Sequence, residues 1–145
     1  MPQENVELVK RLHPGSNTDL VALAKDDGAW AAVTGNLEAF FEPDFELEVV
    51  NPFEGPTVVK GVSGVREFWL DWLAPWQTYH DELERAIDLG DRVLLLGRHH
   101  GIREQTGHEV LARLAALYTL RDGKVTRIQY YTSHEEALKA VGLEE

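Results

Sequence analysis

The spacing of apolar positions changes character twice along this chain. From Asn5 to Leu12 they fall at Val6, Val9 and Leu12, close to a helical repeat. His13-Pro14-Gly15-Ser16-Asn17 stops that pattern. Val21, Leu23 and Ala24 predict a second short helix, capped by Asn17 or Thr18 and broken at Gly28. A third helix is expected from about Ala29 to Phe41. Trp30, Val33, Leu37 and Phe40 or Phe41 share one stripe of it, and Pro43 ends it.

The period then falls to two. Phe45-Glu46-Leu47-Glu48-Val49 alternates apolar with acidic, the pattern of a half-buried strand, and residues 51–56 read as a loop. Gly64 to Trp76 returns to a helical pattern through Val65, Phe68, Trp69, Trp72 and Leu73, stopping at Pro75. Beyond it, strands are predicted over 79–88, 92–102, 108–120 and 124–132. Gly90-Asp91 and Asp122-Gly123 separate strands as tight turns. The second is the stronger signal, because a type I′ turn needs positive φ at both central residues. Ser133 and Glu136 form a capping box for a last helix, Glu135 to Val141, closed by Gly142. Helices segregated to one side of a curved antiparallel sheet make an α+β domain. Such a sheet wrapped round the N-terminal helices leaves a conical pocket, a cone-shaped α+β barrel.

Composition narrows the class. The 145 residues suit a single domain over 1–145, and 43% hydrophobic with 27% charged residues is ordinary globular usage. Fourteen basic residues stand against 25 acidic ones, a net charge of -11. Phosphate backbones and anionic bilayers would repel such a chain, so neither nucleic acid nor membrane is expected as a partner. The absence of cysteine removes disulfides and thiolate chemistry. The N-terminal MPQENVELVK lacks a signal-peptide pattern, and a cytoplasmic protein is expected.

The element order and four segments resemble the nuclear transport factor 2-like superfamily, in particular its SnoaL-like branch. The segments are FFEPDFELEV, GVREFWLDWLAPW, DLGDRVLLL and LYTLRDGKVTRIQYYTSHEEALKAVGL. The resemblance implies a conical pocket and a homodimer through the outer sheet face. It does not imply one chemistry, since the superfold carries isomerases, cyclases, dehydratases, hydrolases and binding modules. Ketosteroid isomerase, on this fold, uses an aspartate base beside a proline, with a tyrosine and a protonated aspartic acid as oxyanion donors. Here Asn51 precedes Pro52, with Val49 the alternative occupant, and the acid's position falls at Ala115 or Ala116. Isomerase chemistry of that kind is not expected.

SnoaL-type cyclases imply a His/Asp acid–base pair in the pocket. The catalytic candidates are His99 and His100, adjacent on a strand and so facing opposite sides, with a carboxylate from Asp71 or Glu48. His13 is expected to be solvated and His134 to take part in capping. No metal is expected, because His99 and His100 cannot chelate from one strand face. No cofactor is expected either: Gly61-Val62-Ser63-Gly64 lacks the setting of a phosphate loop.

Pairing across a two-residue Asp-Gly turn sets Leu117 opposite Ile128 and Ala115 opposite Tyr130. One face then carries Arg113, Ala115, Leu117, Ile128, Tyr130 and Thr132, and the resemblance points it into the cone. The other, with Leu114, Ala116, Tyr118, Arg127, Gln129 and Tyr131, becomes the dimer face. Trp30, Phe53, Trp69 and Trp72 supply further aromatic walls. Arg98 and Arg113 would be polar handles, neutralised by Glu48 or Asp71 or else by an anionic ligand. The favoured reading is a small-molecule-binding SnoaL-like protein of undefined activity, taking a small apolar or cyclic metabolite. The alternative is a lyase or isomerase-type enzyme (cyclase, dehydratase or hydratase) using a pocket histidine and a carboxylate. A third is an interaction module whose cone is packed solid.

Overall fold

The computed structural model describes residues 2–50 and 57–143. The chain runs α1 (Pro2–Leu12), α2 (Leu20–Lys25), α3 (Asp27–Phe40), β1 (Phe41–Val50), β2 (Thr57–Lys60) and α4 (Val65–Leu73). It continues through β3 (Trp76–Asp88), β4 (Arg92–Arg103), β5 (Glu109–Arg121), β6 (Lys124–Tyr131) and α5 (His134–Ala140).

The helix starts are set by carboxylates the periodicity did not single out. Asp19 caps α2 by accepting from Val21 N at 3.0 Å, and the same oxygen accepts from Tyr79 N at 3.1 Å, tying α2 to β3. Asp26 caps α3 through Ala29 N, so Gly28 lies inside the first turn of α3 rather than ending a helix. Pro43 does not end α3 either. It falls in β1 between Phe41 and Glu46, where the pairing with β6 is irregular and no ladder bond is lost to proline. Ser133 caps α5 as expected, and Gly142, at φ 80°, lets Leu143 N reach back to Leu138 O at 2.7 Å.

The six strands form one curved, unclosed sheet in the order β2-β1-β6-β5-β4-β3. β1 lies parallel to β6, so the sheet is mixed rather than wholly antiparallel. β2 and β3 are its edges, so the cone is open rather than a closed barrel. β2, four residues pairing with Glu46 to Val49, is too short for periodicity to reveal.

The Asp122-Gly123 turn has φ of 53° and 78°, and Arg121 faces Lys124 across it. A bulge then intervenes: Leu120 pairs with Val125 but Thr119 pairs with Arg127. The extra residue is Thr126, whose hydroxyl donates to Thr119 O at 3.2 Å. Tyr118 therefore faces Ile128 and Ala116 faces Tyr130, one residue away from the register of an unbulged hairpin. A slip of one residue turns every side chain to the other face.

Helices α1, α3 and α4 close over the inner face, around Phe45, Leu47, Val93, Leu95, Val125 and Ile128. α2 packs with α4 and Tyr79 beside them. Arg66 of α4 joins these helices: its Nε donates to Ala24 O at 3.1 Å and its guanidinium reaches Asp27 at 2.7 Å. α5 lies alone on the outer face, where Ala137 and Leu138 cover Leu94, Leu96, Leu117 and Tyr131. No helix among the described residues is long and apolar enough to cross a membrane.

Candidate functional site

A cavity of about 390 Å³ lies between the helices and the inner face of the sheet. Its walls are mostly apolar, with Trp30 and Val33 of α3, Trp69 of α4, Phe45 and Leu47 of β1, and Ile128 of β6. Its polar groups come chiefly from β3, β4 and the end of α1, with the phenols of Tyr118 and Tyr130 on the adjoining strands.

The polar cluster follows from strand parity. Tyr79, Asp81 and Leu83 alternate inward on β3, and on β4 His99 stands directly opposite Asp81. His99 Nε2 is 3.4 Å from Asp81 Oδ2, and its Nδ1 is 2.7 Å from the Tyr79 hydroxyl. A carboxylate cannot donate, so the tautomer that suits both contacts has its hydrogen on Nε2, with Nδ1 accepting from the Tyr79 hydroxyl. Glycine makes the room. A side chain at Gly97 would put its Cβ 2.8 Å from Asp81 Oδ1, and one at Gly101 would put it 2.5 Å from the Trp76 ring.

His13 reaches the cluster from the other side. Its amide closes the last turn of α1 on Val9 O at 3.1 Å, and Pro14 prevents continuation. The buried Leu8 and Val9 pack α1 down, and Asn5 Nδ2 donates to Gly90 O at 3.0 Å. The imidazole of His13 is thereby directed inward, with Nε2 at 3.1 Å from Asp81 Oδ2 and only 11% of the side chain exposed. It is not the solvated residue that its loop setting suggested. Asp81 thus carries one imidazole nitrogen on each side of Oδ2, while Oδ1 is buried against Gly97 without a hydrogen bond.

Burial is the main influence on the titration of these groups. It holds His99 below its ordinary value, with Asp81 opposing and the neighbouring His13 and His134 adding to the fall. Tyr79 is pushed up to about 12 by burial; the Trp72 indole N–H offsets part of the rise, and Asp81 adds to it. That indole nitrogen is buried and completes no hydrogen bond with the phenol or any other described group. Tyr118 and Tyr130 are raised by burial and by Asp81, so their hydroxyls keep their protons.

Of the residues singled out from the sequence, Trp30, Trp69, Ile128, Tyr130 and His99 line this cavity. Trp72 sits behind it, against Phe68 and Trp69. Arg113 and Leu117 lie on the outer face instead, because the Thr126 bulge reverses the parity of β5. Leu117 is buried beneath α5, and Arg113 bonds Glu84 at 3.4 Å. Arg98, beside His99 on β4, also points outward, 3.8 Å from Glu82. Neither arginine meets Glu48 or Asp71. Glu48 accepts from Arg127 at 3.1 Å and from Gln129 at 3.0 Å on the outer face, and Asp71 is exposed on α4. His100 faces outward toward Glu109 at 3.2 Å. His134 uses its ring rather than a cap: Nε2 donates to Gly97 O and Leu114 O at 2.9 and 3.0 Å. Phe53 and Asn51 lie outside the described residues.

Sequence reasoning passed over Asp81 and set His13 aside as solvated. Asp81 had a readable signal, an acid at the apolar parity of Tyr79 and Leu83. His13 had none, since nothing local says where a loop imidazole points. Among the described residues no three His, Asp or Glu side chains are disposed to hold a metal ion.

An open α+β cone with a polar cluster on one wall defines a class of small pocketed proteins. This chain belongs to the SnoaL-like domain family, whose model matches residues 19–128. It is similar to a protein from Jannaschia sp. CCS1 classed with SnoaL-like polyketide cyclases: TM-score 0.70 at 20% identity, over 99% of this chain and 94% of that one. A phenazine biosynthesis-related protein from Pseudomonas aeruginosa aligns with TM-score 0.65 at 15% identity, over 99% and 88%. TerC, crystallised with polyporic acid, aligns with TM-score 0.62 at 19% identity, over 95% and 98%. At these identities the likeness is one of fold. No curated protein matches the sequence.

Proposed function

We propose that this protein is an acid–base enzyme of the isomerase, cyclase or dehydratase kind, acting on a small, largely apolar cyclic metabolite held in the cavity. The observation that carries this reading is the Asp81 carboxylate, flanked by His99 and His13 on an otherwise apolar wall. A cavity built only to hold an apolar ligand gains nothing from a mostly buried carboxylate, which costs free energy to place there. Titratable groups converging in an apolar cleft suit proton transfer. Burial keeps His99 uncharged near neutral pH, so Tyr79 and Asp81 bind it as a neutral, oriented imidazole. TerC's polyporic acid supports a cyclic ligand as a starting point.

Two measurements test this. Polyporic acid is titrated against the fluorescence of Trp30 and Trp69. Deuterium exchange into the α position of 2-tetralone is followed by NMR. The expected result is saturable binding, with exchange faster than in buffer and slowed at least about tenfold by Asp81→Asn. Saturable binding with no acceleration supports a binding protein instead.

We further propose that two copies pair through the outer sheet face. Leu111 is 57% exposed there, and Arg127 Nε is buried without a partner. Sedimentation should give a dimer that Leu111→Glu weakens; a monomeric wild type overturns the pairing.

A further inference from the structure

The cluster contains two histidines that differ in one respect. Both nitrogens of His99 are engaged, Nε2 with Asp81 and Nδ1 with Tyr79. His13 uses Nε2 on Asp81, and its Nδ1 has no hydrogen-bond partner among the described residues. The carboxylate beside Nε2 favours the tautomer with its hydrogen there, which leaves the lone pair on Nδ1. Asp81 itself is poorly placed to act directly. Its Oδ1 is wedged against Gly97, out of reach of any ligand, and its Oδ2 is already crowded by two imidazole nitrogens at 3.1 and 3.4 Å.

The remaining arrangement is a histidine oriented by a carboxylate, with the far nitrogen free and the ring lining the cavity. We propose that His13, supplied by the end of α1, is the group that takes the proton from the substrate, with Asp81, His99 and Tyr79 as its positioning residues. This rests on the acid–base reading above and names its base. His13 precedes Asp19, where the family match begins, so this catalytic group comes from outside the matched segment. The substrate's acidic C–H or O–H bond breaks, its electron pair stays on the substrate as an enolate or phenolate, and the proton goes to His13 Nδ1. The imidazolium, stabilised by Asp81, then returns the proton to a second substrate atom. No oxidant or co-reactant is needed.

The probe is 5-nitrobenzisoxazole, a flat apolar ring that any base in an apolar cavity opens. Its C–H proton passes to the base, the electron pair forms the nitrile, and the N–O bond breaks to release a coloured phenolate. The full-length wild type should turn it over saturably, faster than the same concentration of free imidazole. His13→Gln keeps a donor for Asp81 but has no base, and should lose about 10²-fold or more. His13→Ala should lose as much and regain rate when free imidazole is added, which a merely structural role would not allow. His99→Gln should lose less than either. Circular dichroism checks that each variant is folded.

If His13→Gln keeps the wild-type rate while Asp81→Asn loses it, the carboxylate is the base; the acid–base reading stands and His13 is dismissed. If neither substitution matters, or the wild type is no better than imidazole, both fall. A measurement without substitution guards against misfolding. Diethyl pyrocarbonate on the wild type should modify His13 before His99, in step with loss of turnover. Modification of His99 first, with His13 spared, overturns the assignment.

Discussion

The two faces of the sheet hold similar side chains under opposite conditions. Outside, Glu82 meets Arg98, Glu84 meets Arg113 and Glu48 meets Arg127, each pair wholly or partly in water. Inside, one carboxylate meets two imidazoles and three phenols lie near it, mostly shielded from solvent, and one oxygen is left without a hydrogen bond. His99 and His100 make the contrast within two residues: the first is 7% exposed and bound by Tyr79 and Asp81, the second faces Glu109 half in solvent. Exposed ion pairs are screened and contribute little, whereas buried polar groups are costly unless fully paired, and function is one reason to keep a group that is not. The inner cluster is where chemistry is expected, and the outer pairs are where solubility and pairing of copies are expected.

The contrast can be broken most forcefully through the inner wall. Phe45 is 1% exposed, in edge contact with Phe41. Phe45→Ala should cost about 3–5 kcal/mol in urea unfolding and enlarge the cavity it lines. A loss under about 1 kcal/mol would mean that the helices repack over the sheet.

Gly97→Ala is subtler. The new Cβ would meet Asp81 Oδ1 at 2.8 Å and the Glu82 carbonyl oxygen at 3.3 Å. The carboxylate can yield, so stability should fall by only about 1 kcal/mol. Asp81 would leave its niche, and turnover of the benzisoxazole probe should fall with the fold intact. Full turnover in that variant would dissociate the glycine niche from the placement of Asp81.

A pH titration of stability sharpens the comparison further. Burial lowers the pKa of His99 in the folded state below the 6.5 of the unfolded chain. Below that value the unfolded chain binds more protons. The stability His99 contributes is therefore fully present above about 6.5 and is lost as the pH falls from there through the folded value. Chemical denaturation from pH 8 to 5 should show this loss, and His99→Gln should flatten it; an unchanged slope would assign the acid sensitivity elsewhere.

The smallest effect belongs to the outer face. Arg98 and Glu82 are 49% and 56% exposed, so a double-mutant cycle should return about 0.2–1 kcal/mol, shrinking with added salt. A larger coupling would mean that a second copy covers the pair.

The sequence by itself determined the order of helices and strands apart from the short β2, the Asp122-Gly123 turn and the capping of α5, because these depend on residues within a few positions of one another. It also carried the family, through the aromatic helix and the last hairpin. It placed Trp30, Trp69, Ile128, Tyr130 and His99 as candidates, and they share one cavity. It put Arg113 and Leu117 on the wrong face because one residue, Thr126, is inserted in β6, and a bulge leaves no mark on apolar alternation. Only the tertiary structure decided that Asp81 is the carboxylate facing His99, since that depends on the pairing of β3 with β4 and on Gly97 leaving a niche. Only it brought in His13, far before Asp81 in the chain and seated by the packing of α1. Periodicity says which face a residue takes within its own element. Which groups meet across elements is set by register, bulges and packing between segments far apart in the chain.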